Sequence, residues 1–312
     1  MPAVAVHFID LQKRTNDLVM GTHGRGVIII DDISPLREIN QEVLQKKVYF
    51  FKSKPTIINE ESNFSGSFGA ETQFVGRNPS KSVQIKYYLK KRHTFGKMTM
   101  EIQDMDGNVI KEISPGKSKG INIVTWNYRT KQPKVAKGKT FSFGGFATPK
   151  VKAGTYKVVL KKGKDTFEQE FELIYDPKSK LSAKDRDFQH KTIMKMYDMT
   201  QELAYMVYEL DAILEKIEKK KFKQKLIALK ESLVITTGDN YVGSAEPQLR
   251  EKMADLFSKI AGSYDKPSAS ELEALEIVSE RFNKAKIDFS KLKKKAKFFK
   301  DLKLKTFEEF VK

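Results

Sequence analysis

Hydrophobic and polar positions follow three different rules along this chain. In the first, Val27-Ile28-Ile29-Ile30 is apolar at every position and follows the glycine turn Gly24-Arg25-Gly26. A half-exposed strand alternates apolar with polar, whereas a continuous apolar run wants cover on both faces. The segment from Asp17 to Asp32 therefore predicts strand, turn, strand, with Val4 to Leu11 as a preceding strand. Arg14-Thr15-Asn16-Asp17 supplies the intervening turn, and Gly24 and Gly26 can take positive φ without steric cost. Three strands without a covering layer are marginal in water. The hairpin is thus expected to be the last piece of a larger β structure, with Val27 to Ile30 more exposed than their composition wants.

Ser34-Pro35 predicts a short helix, with Ser34 as cap and Pro35 in the first turn. Val48 to Phe51 is a further strand. Residues 59–79 read as a linker.

From Val83 the second rule applies. Val83, Ile85, Tyr87 and Leu89 face one way, and Gln84, Lys86, Tyr88 and Lys90 the other. Met98, Met100 and Ile102 repeat the alternation, and Asp106-Gly107 marks a hairpin turn. Strands around Trp126, over Tyr156, Val158 and Leu160, and over Phe167 to Tyr175 complete the set. Several short alternating strands over about 100 residues predict a β-sandwich of immunoglobulin type, residues 80–178, with Trp126 in its core.

Beyond Ser182 the period becomes helical. Ile193, Met196, Met199, Leu203, Met206, Leu210, Ile213 and Ile217 make one apolar stripe. A helix over 182–219 would be about 55 Å long. Phe222 to Leu233 gives a second helix, broken at Thr237-Gly238-Asp239-Asn240, and Leu249 to Ile260 a third. A capping box at Ser268 and Glu271 opens a fourth. Residues 179–312 thus predict an antiparallel bundle with a basic tail, and the methionine stripe reads as core. The tail from Ser290 has nine lysines and three acids interrupted by phenylalanines. It suits either a basic amphipathic element for a membrane surface or partner, or an end strap on the bundle.

Composition changes this picture little. The 312 residues allow two or three domains, and the absence of cysteine rules out disulfides and thiolate chemistry. No apolar run is long enough for a transmembrane helix, and the start at Met1-Pro2 lacks signal-peptide character. The net charge of +18 would suit nucleic acid or an anionic surface. Lysine far outnumbers arginine, which favours a solvated surface over a phosphate-reading groove.

The residues give no catalytic, cofactor-binding or metal assignment. Gly116-Lys117-Ser118 lacks the upstream glycine of a phosphate loop, because position 111 is Lys111. A dinucleotide fingerprint from Gly24 and Gly26 would need glycine where Ile29 stands. The four histidines, His7, His23, His93 and His190, show no ligand spacing. Asp31 and Asp32 are adjacent, so they do not converge on one bond as glycoside hydrolysis requires; strand exit and helix start account for them. His23 and Arg25 sit in the hairpin turn, where they either line a surface site or fix the turn.

The run Asp17-Leu18-Val19-Met20-Gly21-Thr22-His23-Gly24-Arg25, followed by Ile30-Asp31-Asp32-Ile33-Ser34-Pro35-Leu36-Arg37, resembles the final propeller segment of sortilin-like, BNR-repeat proteins. Arg77-Asn78-Pro79 before Ile85 to Leu89 is similar to the opening of their immunoglobulin-like module. Trp126-Asn127-Tyr128-Arg129 and Ala153-Gly154-Thr155-Tyr156 are similar to its later strands. The resemblance implies that residues 1–58 are a remnant of the last β-propeller blade. It implies an extracellular or periplasmic parent protein, with the missing blades as partners and a glycan or protein as ligand. It also carries a glycosyl hydrolase label, but the Ser-x-Asp-x-Gly-x-Thr-Trp repeats are absent and no catalytic residue transfers. Three functions follow as expectations: a non-catalytic accessory and interaction region, part of a glycoside hydrolase with its active centre in missing blades, or an anionic-surface or nucleic-acid binder.

Overall fold

The computed structural model describes residues 3–59, 80–140, 148–237 and 246–312. The expected linker 59–79, with Arg77-Asn78-Pro79, lies outside the described residues apart from Asn59, as does the break at Gly238 to Asn240. The chain is mixed β plus α, with several sheets and a helical C-terminal region. It divides into two compact units. The first comprises residues 3–59, 80–129 and 152–177; the second comprises 130–140, 148–151 and the described residues from 178 onward.

The first unit begins with β1 (Val6–Gln12), β2 (Asp17–Thr22) and β3 (Val27–Ile30), an antiparallel sheet in that order. Its turns form as their residues dictate. Asn16 takes φ 63°, and Gly24 and Gly26 take 75° and 67°. The sheet leads into α1 (Ser34–Glu38) and α2 (Gln41–Gln45). Ser34 is not the cap of α1. Ile33 occupies that position without a side-chain bond, and Ser34 is the first helical residue. The capping function has moved to Asp32, whose Oδ1 accepts from the Ser34 backbone N–H at 3.2 Å and from its hydroxyl at 2.5 Å. A carboxylate two residues upstream reaches the free helix-end donor better than Ser34 can from within the turn.

Next come β4 (Val48–Phe50), β5 (Thr56–Ile57), β6 (Val83–Leu89), β7 (Met98–Gln103), β8 (Val109–Ile113), β9 (Gly120–Trp126), β10 (Gly154–Lys162) and β11 (Asp165–Ile174). They make a three-stranded sheet, β4-β6-β9, and a five-stranded sheet, β5-β11-β10-β7-β8. The alternating apolar positions converge between these sheets. Trp126 of β9 meets Tyr156 of β10 and Phe171 of β11 edge-on, at 5.9 and 5.8 Å between centroids. The Trp126 indole N–H donates to the Arg129 carbonyl at 3.0 Å, so the buried ring leaves no bare donor.

One feature of β6 departs from the alternation. Its inward residues are buried, but so are Lys86 and Tyr88 on the opposite face. The segment from Asp32 to Phe51 covers that face. Tyr88 packs in a cluster with Val43 of α2 and Phe51, and Lys86 meets Asp32.

The second unit is built on α3 (Ala183–Lys216), about 51 Å long at 1.5 Å per residue. Ser182 caps it by accepting from the Asp185 N–H at 3.1 Å. The predicted stripe from Ile193 to Ile213 is buried, its methionines included. Around it pack α4 (Lys220–Leu233), α5 (Leu249–Gly262) and α6 (Ala269–Lys295), the last opened by the Ser268–Glu271 capping box. Each fully buried aliphatic side chain contributes about 1.5–3 kcal/mol, so one shared core suffices to hold four helices that would be marginal alone. The tail after α6 forms a 3-10 helix (Lys297–Asp301) and α7 (Phe307–Val311). Phe298, Phe299, Leu302 and Phe310 pack on the helical core, which is strap behaviour.

Candidate functional site

The β1–β3 sheet is the most unusual surface of the first unit. Its register places Ile9, Met20 and Ile28 in one cross-strand row and Leu11, Leu18 and Ile30 in the next, on one face. Phe8, Gly21 and Val27 form a row on the other face, beside Asp10, Val19 and Ile29. Both faces are thus largely aliphatic. Cover is incomplete on both. Met20 is buried, while Phe8 is 80%, Val27 65%, Ile9 65% and Ile29 58% exposed. The Phe8 side chain lies beside Gly21, within 3.6 Å of where a Cβ would stand, an ordinary van der Waals contact. Among the described residues, β1 and β3 pair only with β2. Their outer edges therefore offer backbone donors and acceptors beside exposed aliphatic side chains, a ready template for another strand.

The base of this sheet is pinned electrostatically. Asp32 sits at φ 43°, a region that non-glycine residues seldom occupy. Its N–H donates to Asp17 Oδ1 at 2.9 Å. Its Oδ2 accepts from Lys86 Nζ at 2.5 Å, and Lys54 Nζ lies 3.9 Å from Oδ1. Burial acts to raise the Asp32 pKa. The hydrogen bonds from Lys86 and Ser34 and the Lys86 charge outweigh it, so the carboxyl lies below its ordinary value. Lys86 is 5% exposed, which makes Asp32 the compensating charge for a buried ammonium.

The turn residues His23 and Arg25 are both exposed. The structure brings His23 not to Arg25 but to His7, with ring centroids 5.4 Å apart. Sequence spacing hid that pair, because it arises from cross-strand pairing. His23 N–H also donates to the Ala5 carbonyl at 2.9 Å, and Thr22 closes the turn on the Gly26 carbonyl. Asp31 is exposed while Asp32 points into its ion pair, so the adjacent carboxylates do different work. Among the described residues, no group of three His, Asp or Glu side chains is placed to hold a metal ion.

Gly116-Lys117-Ser118 forms a braced loop. Tyr87 O–H donates to the Gly116 carbonyl at 2.5 Å, and Asn122 Oδ1 accepts from the Ser118 N–H at 3.0 Å. A Cβ on Gly116 would fall 2.6 Å from that Asn122 oxygen. Burial pushes the Tyr87 phenol up to about 12, so it stays a donor. The backbone here is committed to its own protein groups.

In the second unit, Arg250 escaped the sequence reading altogether. It is buried on α5, and its guanidinium donates to the carbonyls of Ala136 and Thr140 at 2.9 and 2.8 Å. Glu251 accepts from its Nε at 2.7 Å. Gly138 makes the space: a Cβ there would stand 2.5 Å from the Arg250 Nη1. Arg250 thereby ties the segment 130–140 to the helices. The only hint in the sequence was an arginine inside an apolar helical period.

A concavity lies between α3 and α6. It is an open cleft of about 440 Å³ with Met206, Phe289 and Phe307 among its apolar lining. Two ion pairs border it, Lys286–Glu202 at 2.5 Å and Lys293–Glu209 at 2.6 Å. Among the described residues, no helix is long and apolar enough to cross a membrane. Compared with known proteins, the chain matches no protein-family model, no curated protein and no solved structure at a significant level.

Proposed function

We propose that this chain is the non-catalytic accessory and interaction region of a larger β-propeller protein of the sortilin-like kind. In this reading the β1–β3 sheet belongs to the last blade, and the missing blades are its partners. The sheets β4-β6-β9 and β5-β11-β10-β7-β8 are an immunoglobulin-like sandwich, and the helical region braces the propeller. The parent protein is extracellular or periplasmic, and the exposed turn at His23 and Arg25 lies where a glycan or protein ligand can approach it.

One observation carries the reading: a three-stranded sheet with apolar residues on both faces, of which Phe8, Ile9, Val27, Ile29 and Ile30 are exposed, and whose outer strands pair with no other strand among the described residues. A sheet that ends its own fold has one polar face or a covering layer. A sheet inside a larger β assembly is apolar on both sides because neighbouring layers and strands cover it. The resemblance of the Asp17–Arg37 run to a final propeller segment supports the same conclusion from the sequence side.

Amide hydrogen exchange on the 312-residue chain tests this. Amides on the outer edges of β1 and β3 should exchange in the fast class, while those of β6 exchange only on global unfolding. In a chain extended by preceding blades, the β1 and β3 amides should become as protected as those of β6. Protection equal to β6 in the 312-residue chain alone would show a sheet complete in itself and overturn the reading.

A further inference from the structure

The residue that β1 leaves unpaired is a histidine. The β1–β2 ladder joins Val6 to Thr22 and then Phe8 to Gly21, so His7 is the extra residue of a β-bulge. A bulge re-aims the side chain it carries. On the other side the chain has just left β2, and His23 is held by its own backbone, whose N–H donates to the Ala5 carbonyl at 2.9 Å. These two backbone devices bring the imidazoles to 5.4 Å between centroids, with their planes inclined at 35°. Both side chains are exposed. Among the described residues, no protein group hydrogen-bonds to a ring nitrogen of either, whereas His93 uses its Nε2 on the Gly96 carbonyl at 3.0 Å. A neutral imidazole keeps a lone pair on one ring nitrogen, which makes it the commonest protein ligand for metals.

The spacing of the rings selects a coordination geometry. With metal–nitrogen bonds of about 2.05 Å and ring centres about 1.1 Å behind the nitrogens, two imidazoles on a tetrahedral ion stand about 5.2 Å apart. On adjacent corners of a square-planar ion they stand about 4.5 Å apart. The 5.4 Å found between His7 and His23 matches the tetrahedral value.

We propose that His7 and His23 form a two-histidine site for a tetrahedral divalent transition ion of the zinc class, with its two remaining positions open to water. The exposed rings turn about χ2 to present one nitrogen each, and the backbone stays where it is. The ion clamps β1 to the chain leaving β2. Binding through two imidazoles of one hairpin makes the second bond intramolecular, so the pair should exceed either histidine alone by about 100-fold or more in affinity. Two protein ligands instead of four make this an exchangeable site and not a closed structural centre. The proposal stands on the β1–β2 end of the sheet and does not depend on the propeller reading.

The test uses the 312-residue chain, cleared of metal with a chelator and titrated with zinc chloride in a calorimeter. The tightest event should saturate at one ion per chain. His7→Ala and His23→Ala should each weaken it about 100-fold or more, and His93→Ala should leave it unchanged. Amide exchange supplies an independent readout. Zinc should slow the His23 amide, which closes on Ala5, in the unaltered chain and in neither of the two site variants. Because both side chains are exposed, these variants should keep the circular dichroism and melting temperature of the metal-free chain.

An absence of saturable zinc binding would overturn the proposal. So would an affinity that survives in either site variant, or one that falls with His93→Ala instead. Half an ion per chain would place the metal between two copies and overturn the single-chain clamp.

Discussion

The strands β3 and β6 invert what their residues suggest. β3 is Val27-Ile28-Ile29-Ile30, with no polar side chain, yet Val27, Ile29 and Ile30 are exposed. β6 contains Gln84 and Lys86, yet Lys86 and Tyr88 are buried along with Val83, Ile85, Tyr87 and Leu89. The difference lies in what is laid over them. β6 is central in its sheet, and its outer face is covered by Asp32, α2 and Phe51. β3 is an edge with little over it. A strand's composition states how much cover it can use; the rest of the fold decides how much it receives. A lysine can sit under cover because its stem packs and one carboxylate answers its charge.

The sharpest way to break this comparison is to truncate one side chain in each strand. Tyr87→Ala removes a buried ring and strands the Gly116 carbonyl that its hydroxyl serves. It should cost about 4 kcal/mol in urea unfolding. Ile29→Ala, in the more apolar strand, should cost no more than about 0.5 kcal/mol. Comparable losses at the two positions would mean that β3 is covered in solution and that the contrast is false.

The Asp32–Lys86 pair comes next in size. Asp32→Ala leaves a buried ammonium without its counter-charge and removes the α1 cap, and should cost about 3 kcal/mol. Lys86→Met leaves a carboxylate that is partly solvated and still bonded to Ser34, and should cost about 1 kcal/mol. The order of the two variants sharpens the claim that Lys86 is the buried member. A larger loss for Lys86→Met would reverse it.

The same pair gives a pH dependence of known sign. The folded Asp32 pKa lies below its ordinary 3.8 because Lys86 and Ser34 outweigh burial. The pair's contribution is therefore fully present above the unfolded value and is lost as pH falls through the folded pKa. In a titration below pH 3.8, unaltered protein should lose more stability than Asp32→Asn, which carries no titrating group there. Parallel curves for the two proteins would show that Asp32 is not the group holding the hairpin base.

Much of this fold was legible because local physics and tertiary packing agreed. The stripe from Ile193 to Ile213, the Ser268–Glu271 capping box and the glycine turn at Gly24 and Gly26 each need only near neighbours in sequence. What escaped depended on distant partners. Ser34 looked like a cap until Asp32 took the role. Arg250 was passed over because the carbonyls it meets, those of Ala136 and Thr140, lie more than a hundred residues away. Of the candidate site, the exposed aliphatic run was readable from Val27 to Ile30 alone. The His7–His23 proximity and the Tyr208–Phe310 stack were not, since each joins residues that only folding brings together.

The smallest expected change in stability tests the comparison from the other side. Val27→Lys with Ile29→Lys places two charges on the exposed face of β3, where both side chains already meet water. If the face is open, neither lysine is desolvated, and the unfolding free energy should move by no more than about 0.5 kcal/mol for each substitution. The surface chemistry should change much more. Aliphatic side chains beside an unpaired strand edge promote edge-to-edge association, and lysines on such an edge oppose it. Sedimentation of the unaltered chain should show self-association that rises with concentration, and the double variant should remain monomeric over the same range. Binding of a hydrophobic dye should fall in parallel. A double variant that unfolds several kcal/mol earlier would place Val27 and Ile29 under cover, and β3 would then be an ordinary buried strand like β6.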